Sequence, residues 1–414
     1  MYLPTRPQIE TARLYLTLLM LGGVAVGLVF SPPVLSVGLI GLVVLGLLDP
    51  LAGLNPRWRA GFGRWAQSPL FWGLVLLYLL LLAGVAQTAD WGYYLQRLRV
   101  KAPLVALPLA WAGLPPLTER LRGRVFAVFS LFVLAVLTVV LVNYALNFAE
   151  INDMVRRAQP VPVPRNHIRF SLLVALATLL AVGAWRSAAF GRRRAWLWVA
   201  ALLFAGQHLL AVRSGLAGAY AGLGVVAVAL AWERGRWWPA VGALVALILL
   251  PVLAYAVVPT FRTKMQYARY ELLHRDPAVD PHAYSDEGRL TSLRLGLDVW
   301  RDHPWFGVGP GNLLQEMDAR YAAALPGQPG KRPHNQFVSA LAGSGLVGLA
   351  VTVVAFGLLL WPGLRRRAPV YLAVWTVFFL SCQVENTLET SAGVSMFVVF
   401  LLMAALAPRP PGEE

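Results

Sequence analysis

Long apolar runs, separated by short polar connections rich in arginine and proline, dominate the chain. A helix needs about 20 apolar residues to cross a bilayer. Twelve segments meet or approach that length: 14–30, 34–49, 69–87, 102–114, 125–147, 170–185, 195–212, 215–232, 238–258, 336–361, 369–385 and 391–407. The fourth is short, with Pro103, Pro108 and Pro115 in or beside it. Arg6 and Arg13 precede the first, which runs on into Pro32, Pro33 and a second span without an A-x-A cleavage site. This reads as an uncleaved anchor rather than a signal peptide. The expected fold class is an all-α polytopic membrane protein.

Composition agrees with the pattern. Apolar residues make up 58% and charged residues 14% of the 414 positions, and mean hydropathy is +0.61. A soluble domain carries about 25% charged residues, so this charge could not cover a water-facing globule. Disordered, collagenous and disulfide-stapled classes are excluded as well, because apolar residues dominate and Cys382 is the single cysteine. The formal net charge of +16 comes almost wholly from arginine, since only Lys101, Lys264 and Lys331 are lysines. These charges are scattered over many short connections, which suits topology and anionic lipid head groups rather than nucleic acid.

Arginines in short loops set the orientation. With the amino terminus inside, the cytoplasmic connections hold Arg57, Arg59 and Arg64; Arg120, Arg122 and Arg124; Arg186 and Arg192 to Arg194; Arg234 and Arg236; and Arg365 to Arg367. The opposite loops are poorer in arginine, although Arg97, Arg99, Lys101, Arg156, Arg157, Arg165 and Arg169 weaken the contrast. The last connection carries Glu385 and Glu389 and fits the outer face. Both termini are expected in the cytoplasm.

One connection differs in kind. The chain divides into spans one to nine (1–258), a large polar loop (259–335), and spans ten to twelve with a tail (336–414). So long a loop is not an idle connector. Within it, 260–273 and 289–301 have amphipathic helical periodicity, with Leu290, Leu293, Leu297 and Trp300 on one face of the second. Pro304 stops that helix, Gly307, Gly309, Pro310 and Gly311 form a tight turn, and a further helix is expected from Asn312 to about Leu325.

The sequence has no Walker loop, Cys/His metal set, HExxH or nucleophile elbow. The Gly307–Gly311 turn follows a helix, not a strand, and contains a proline, so it reads as a structural turn rather than a nucleotide site. Polar residues at the outer ends of spans are more informative. His334 and Asn335 precede the tenth span, whose Gly343, Gly345 and Gly348 allow close packing. A histidine there suits proton abstraction near neutral pH, or it merely caps the helix. Arg213, with Ser214, lies between two spans almost without a linker; it meets an anion or reaches out to head groups. Arg289 opens the second loop helix beside Asp286 and Glu287, where a salt bridge on a solvated face is the plainer reading. Arg165, His167 and Arg169 follow Pro160, Pro162 and Pro164 and suit phosphate or anionic lipid equally. Tyr284, Asp286, Glu287 and Trp305 are candidates for sugar contact or for a solvated loop.

The string Trp300-Arg-Asp-His-Pro304-Trp-Phe-Gly307-Val-Gly309-Pro-Gly311-Asn312, followed by His334-Asn335-Gln336-Phe337 and Gly343-Ser-Gly345-Leu-Val-Gly348, resembles the O-antigen ligase/polymerase superfamily. It is most similar to O-antigen ligases of the WaaL type. The likeness is specific over about 285–350, is helped by Arg213-Ser214, and elsewhere rests on hydropathy and topology.

The resemblance implies a GT-C-like fold and a glycosyltransferase in the bacterial inner membrane with its active site facing the periplasm. It implies transfer of a preassembled O-antigen glycan from undecaprenyl diphosphate to a sugar hydroxyl of lipid A–core, without metal or other cofactor. It assigns the catalytic histidine to His334 and diphosphate binding to Arg213 and Arg289. Arg165, His167 and Arg169 match the family's outer loop by position only. Arginine can neutralise a departing diphosphate permanently and grip its oxygens with two donors. Direct displacement would invert the anomeric carbon. Rival readings are an O-antigen polymerase or a protein O-oligosaccharyltransferase using the same donor, and, from another class, a lipid-linked glycan flippase. Transporters place ionisable groups near the midplane, whereas here they gather at the outer rim.

Overall fold

The computed structural model describes residues 5–273 and 285–405. Tyr284 lies outside them, as do the side chains of Asp286 and Glu287 and the tail after Ala405. The described residues are predominantly helical. In order come α1 (Arg6–Val29), α2 (Pro32–Leu47), α3 (Pro56–Trp65), α4 (Pro69–Ala83), α5 (Trp91–Lys101), α6 (Pro103–Trp111), α7 (Glu119–Leu146), α8 (Phe148–Arg156) and α9 (His167–Arg186). They are followed by α10 (Arg193–Leu210), α11 (Arg213–Arg234), α12 (Trp238–Val257), α13 (Pro259–Leu273), α14 (Ser285–Asp302), α15 (Leu313–Ala324), α16 (Gln336–Arg365), α17 (Pro369–Val384) and α18 (Ser391–Ala404). A two-residue pairing of Leu48–Asp49 with Gly53–Leu54 is the sole sheet among the described residues.

Among the described residues, seven helices are long and apolar enough to cross a membrane: α1, α4 with its 3₁₀ extension to Gln87, α7, α9, α11, α12 and α16. The apolar helices α2, α17 and α18 are shorter. Each of the expected apolar segments falls on a helix. The fourth, however, yields only the nine residues of α6, about 13 Å at 1.5 Å per residue. Helix α6 continues α5 through Ala102, whose φ of −50° and ψ of −36° are helical, and Trp58 and Trp65 of α3 donate to its Leu109 and Pro108 carbonyls. Outward-facing apolar side chains such as Val139, Ile248 and Val252 are strongly exposed. A bilayer is the solvent that such faces require, so the chain is a polytopic α-helical membrane protein.

Helix α9 is the centre of the bundle, with every residue from Phe170 to Ala184 buried. A helix apolar on all sides needs neighbours all round, and α7, α10, α11 and α17 supply them. Small residues permit the close approach: Gly218 of α11 faces Val377 of α17, and Gly222 faces Leu179 of α9. Starts and stops follow local chemistry. Asn166, Thr118 and Asn335 cap α9, α7 and α16 with side-chain oxygens, and prolines open α2, α4, α6 and α17.

The glycine-rich turn has a structural task. Helix α16 is broken at Gly345, where φ is +65° and ψ is −162°. The freed backbone groups meet the segment before α15: Val308 and Gly309 donate to the carbonyls of Ala342 and Gly343, while Leu346 and Val347 donate to those of Pro304 and Trp305. The approach is so close that a Cβ on Gly307 would lie 2.4 Å from the Gly343 carbonyl carbon. The break is therefore satisfied by protein backbone, as membrane depth demands.

Helix α14 differs from the expected amphipathic face. Ser292, Gly296 and Val299 are its buried line, whereas Leu293, Leu297 and Trp300 are only half-buried. Gly296 and Ser292 let α14 settle onto Pro333 and the backbone of His334. Packing against the segment leading into α16, rather than burial of leucines, sets its rotation.

Candidate active site

The site is built at the end of the bundle where α9, α11 and α16 begin and α17 stops. Glu385 is the first residue beyond α17 and is only 6% exposed. Arg289, near the start of α14, donates from Nη2 to Glu385 Oε1 at 2.5 Å. His334 approaches the other oxygen, with Nδ1 3.7 Å from Oε2. One carboxylate thus ties the large loop to the entry of α16. Burial pushes the Glu385 carboxyl up, but the approach of His334 and the charge of Arg289 outweigh this and hold it below its ordinary value.

The imidazole sits on a firmly held backbone. The His334 amide donates to Ser292 Oγ at 3.1 Å, and that hydroxyl donates to the Arg289 carbonyl at 2.7 Å. The next residue, Asn335, accepts from the amides of Phe337 and Val338 and donates to the Gln383 carbonyl at 3.0 Å. His334 is thereby fixed between α14 and the end of α17. Its Nδ1 is buried and faces Glu385. A carboxylate beside one ring nitrogen favours the tautomer that leaves the other nitrogen as acceptor.

Helix α9 brings an arginine and a histidine to the same carboxylate. Arg169 lies within electrostatic reach of Glu385 and donates to Thr387 Oγ1 and the Asn386 carbonyl at 3.4 and 3.3 Å. His167, the first residue of α9, is half-buried and feels the charges of Lys264, Glu385 and Arg289. Arg213 is half-buried at the first position of α11. The packing of Gly215 on Ser171 and of Gly218 on Val377 brings that helix start to the same end as His167 and Glu385. Arg165 stands apart: it is exposed, with φ at +62°. Of the residues singled out in the sequence, Arg289, His334, His167 and Arg169 therefore gather around Glu385. Arg213 joins their end of the bundle, and Arg165 lies at its margin.

A second carboxylate braces the site from behind. Glu389 accepts from Lys101 at 2.5 Å, Arg332 at 3.0 Å and Gln336 at 3.0 Å, and its backbone carbonyl accepts from Arg97 at 2.8 Å. The guanidinium groups of Arg97 and Arg332 each lie 5.1 Å from the centre of the Tyr93 ring. Burial pushes the Glu389 carboxyl up, but Lys101 and Arg332 prevail and draw it down to about 2. These contacts join α5, the segment before His334 and the turn after α17. Ser339 adds bonds to the Pro333 carbonyl and Asn386.

Sequence reasoning treats Glu385 and Glu389 only as marks of an acidic outer loop and passes over Arg332, Arg97 and Lys101 as partners. The available signal was modest: two carboxylates, among only 20 in the chain, stand immediately after an apolar run.

Chemically, the site offers an oriented imidazole beside a carboxylate and a ring of arginine and histidine. The first can take a proton from a hydroxyl; the second can hold phosphate oxygens. Residues 198–353 match a family model described as O-Antigen ligase. The match takes in Arg213, Arg289 and His334 and ends before Glu385. No curated protein matches the chain. The family match supports placement in the O-antigen ligase/polymerase superfamily, and with it a glycosyltransferase-like activity in a multi-pass membrane protein.

Proposed function

We propose that this protein is an O-antigen ligase of the WaaL type. It transfers O-antigen polysaccharide from undecaprenyl diphosphate to a sugar hydroxyl of lipid A–core, at the periplasmic face of the inner membrane. The observation that carries this reading is the meeting of Arg289 and His334 on Glu385, at 2.5 and 3.7 Å. A guanidinium suited to phosphate oxygens beside an imidazole suited to accepting a proton, at one rim of the bundle, supports the reading.

In this reading His334, with Nδ1 turned to Glu385, uses its other nitrogen to take the proton of the acceptor hydroxyl. The acceptor oxygen attacks the anomeric carbon of the donor sugar as the bond from that carbon to the diphosphate oxygen breaks. Configuration inverts, and the proton leaves the imidazole after transfer. Arg289, Arg213, Arg169 and His167 receive the charge growing on the leaving diphosphate, which arginine does without a divalent ion. Arg165, exposed at the margin, guides the anionic donor inward. The large loop limits water, whose attack would waste the glycan.

The test is chemical analysis of cells carrying His334→Ala. Ligase function predicts bare lipid A–core and accumulation of polymerised glycan on the polyprenyl carrier. Core bearing a single repeat unit would instead assign the protein to the polymerases, and normal capping would refute the reading.

A further inference from the structure

At the opposite end of the bundle, roughly 40 Å from His334 along α16, lies a cavity of about 710 Å³ that the proposed transfer does not use. Five arginines line it: Arg57 and Arg64 from α3, Arg122 from α7, and Arg365 and Arg366 where α16 ends. Among the described residues, no carboxylate lines it. Glu10 pairs with Arg57 at 2.5 Å from outside the cavity, and Arg122 donates to the Ala405 carbonyl at 3.0 Å. Arg57 Nε is buried with no hydrogen-bond partner among the described residues.

The rest of the wall is apolar. Leu42 and Leu402 are buried at its depth, with Trp65 and Trp111 half-buried above them. Arg64, Arg365 and Arg366 are exposed at the mouth. The gradient runs from cationic rim to hydrocarbon-like interior. Cations drawn from three separate helices into one cavity make it a favourable place for an anion. A free anion would be served by the arginines alone; the apolar depth has use only if the ligand carries a hydrocarbon part. Basic pockets between spans recognise phosphorylated lipid head groups on this physical ground.

We infer that this cavity binds one anionic phospholipid, its phosphate held by the arginines of α3, α7 and α16 and its acyl chains against Leu42, Leu402 and the tryptophans. The inference is independent of the proposed transfer reaction, since none of these residues belongs to that site.

Native mass spectrometry of the full chain in detergent tests it, with added dioleoyl phosphatidylglycerol or dioleoyl phosphatidylcholine as probe. The expected result is one retained phosphatidylglycerol per chain, at least tenfold preferred over phosphatidylcholine. The exposed-residue variant R64Q/R365Q/R366Q should lose that preference, while R64K/R365K/R366K, which keeps the charge, retains most of it. The surface variant R192Q/R193Q/R194Q should bind as the parent does. Equal binding of the two lipids, or unchanged binding by the glutamine variant, would overturn the proposal. Competition by millimolar inorganic phosphate alone would show a free-anion site and also overturn it. Lipid binding seen only after removal of residues 406–414 would make the chain's own tail the occupant, with the same consequence.

Discussion

Arg289 Nη2 and Glu385 Oε1 lie 2.5 Å apart although 96 residues separate them in the chain. The contact pins the start of α14 to the turn beyond α17, and the second oxygen of the same carboxylate faces His334 at 3.7 Å. Glu385→Gln keeps the shape of the side chain and removes its charge. We expect glycan transfer to slow about tenfold or more, because the imidazole loses its orienting partner, while folding measured by thermal unfolding in detergent changes little by comparison. A transfer rate equal to that of the parent would remove Glu385 from the account.

Arg289→Lys keeps a positive charge but loses the two-pronged fork. If Arg289 grips a diphosphate, the donor KM should rise about tenfold, with a smaller effect on the acceptor KM. Equal rises for both substrates would mean that the variant disturbs the loop rather than donor binding. Steady-state kinetics with each substrate varied in turn separates the two outcomes.

Glu389 gives a pH signature. Its carboxyl is drawn down from 4.5 to about 2 by Lys101 and Arg332, so its contribution to stability is complete above its unfolded value. That contribution is lost as pH falls from about 4.5 toward about 2. The melting temperature should drop over this interval, and Glu389→Gln should lack that part of the slope. The variant should also start lower at neutral pH, by about 3–5 kcal/mol, because buried cations are left without their carboxylate. Identical slopes for the two proteins would exclude Glu389 as the source.

Gly345→Ala tests the broken helix. A Cβ there would stand 2.2 Å from the Trp305 carbonyl carbon, and the φ of +65° is itself unfavourable for alanine. Stability should fall by about 1–3 kcal/mol from backbone strain alone, with loss of the pairing between 304–309 and α16. Unchanged thermal unfolding would show that the break is not needed.

Much of the architecture was legible because apolar runs in lipid leave few alternatives to helix. Pro304 and Gly307 announced a stop and a turn. What the turn is for was hidden, since the pairing of Val308 and Gly309 with Ala342 and Gly343 is between distant segments. Periodicity misjudged α14 because Ser292 and Gly296 face inward for hydrogen bonding and close approach, which a count of leucines does not register. His334, Arg289, Arg169 and His167 were visible as polar residues at segment ends. Their common partner was not, because Glu385 is defined by where α17 stops and not by any local pattern.

The mechanism turns on His334 accepting the acceptor's proton. Its most direct test is single-turnover transfer by purified His334→Ala, with a polyprenyl-diphosphate-linked glycan as donor and lipid A–core as acceptor. The account predicts a rate about 10²- to 10⁴-fold below that of the parent, with donor binding retained. A folded His334→Ala protein that transfers glycan at the parent rate would contradict it.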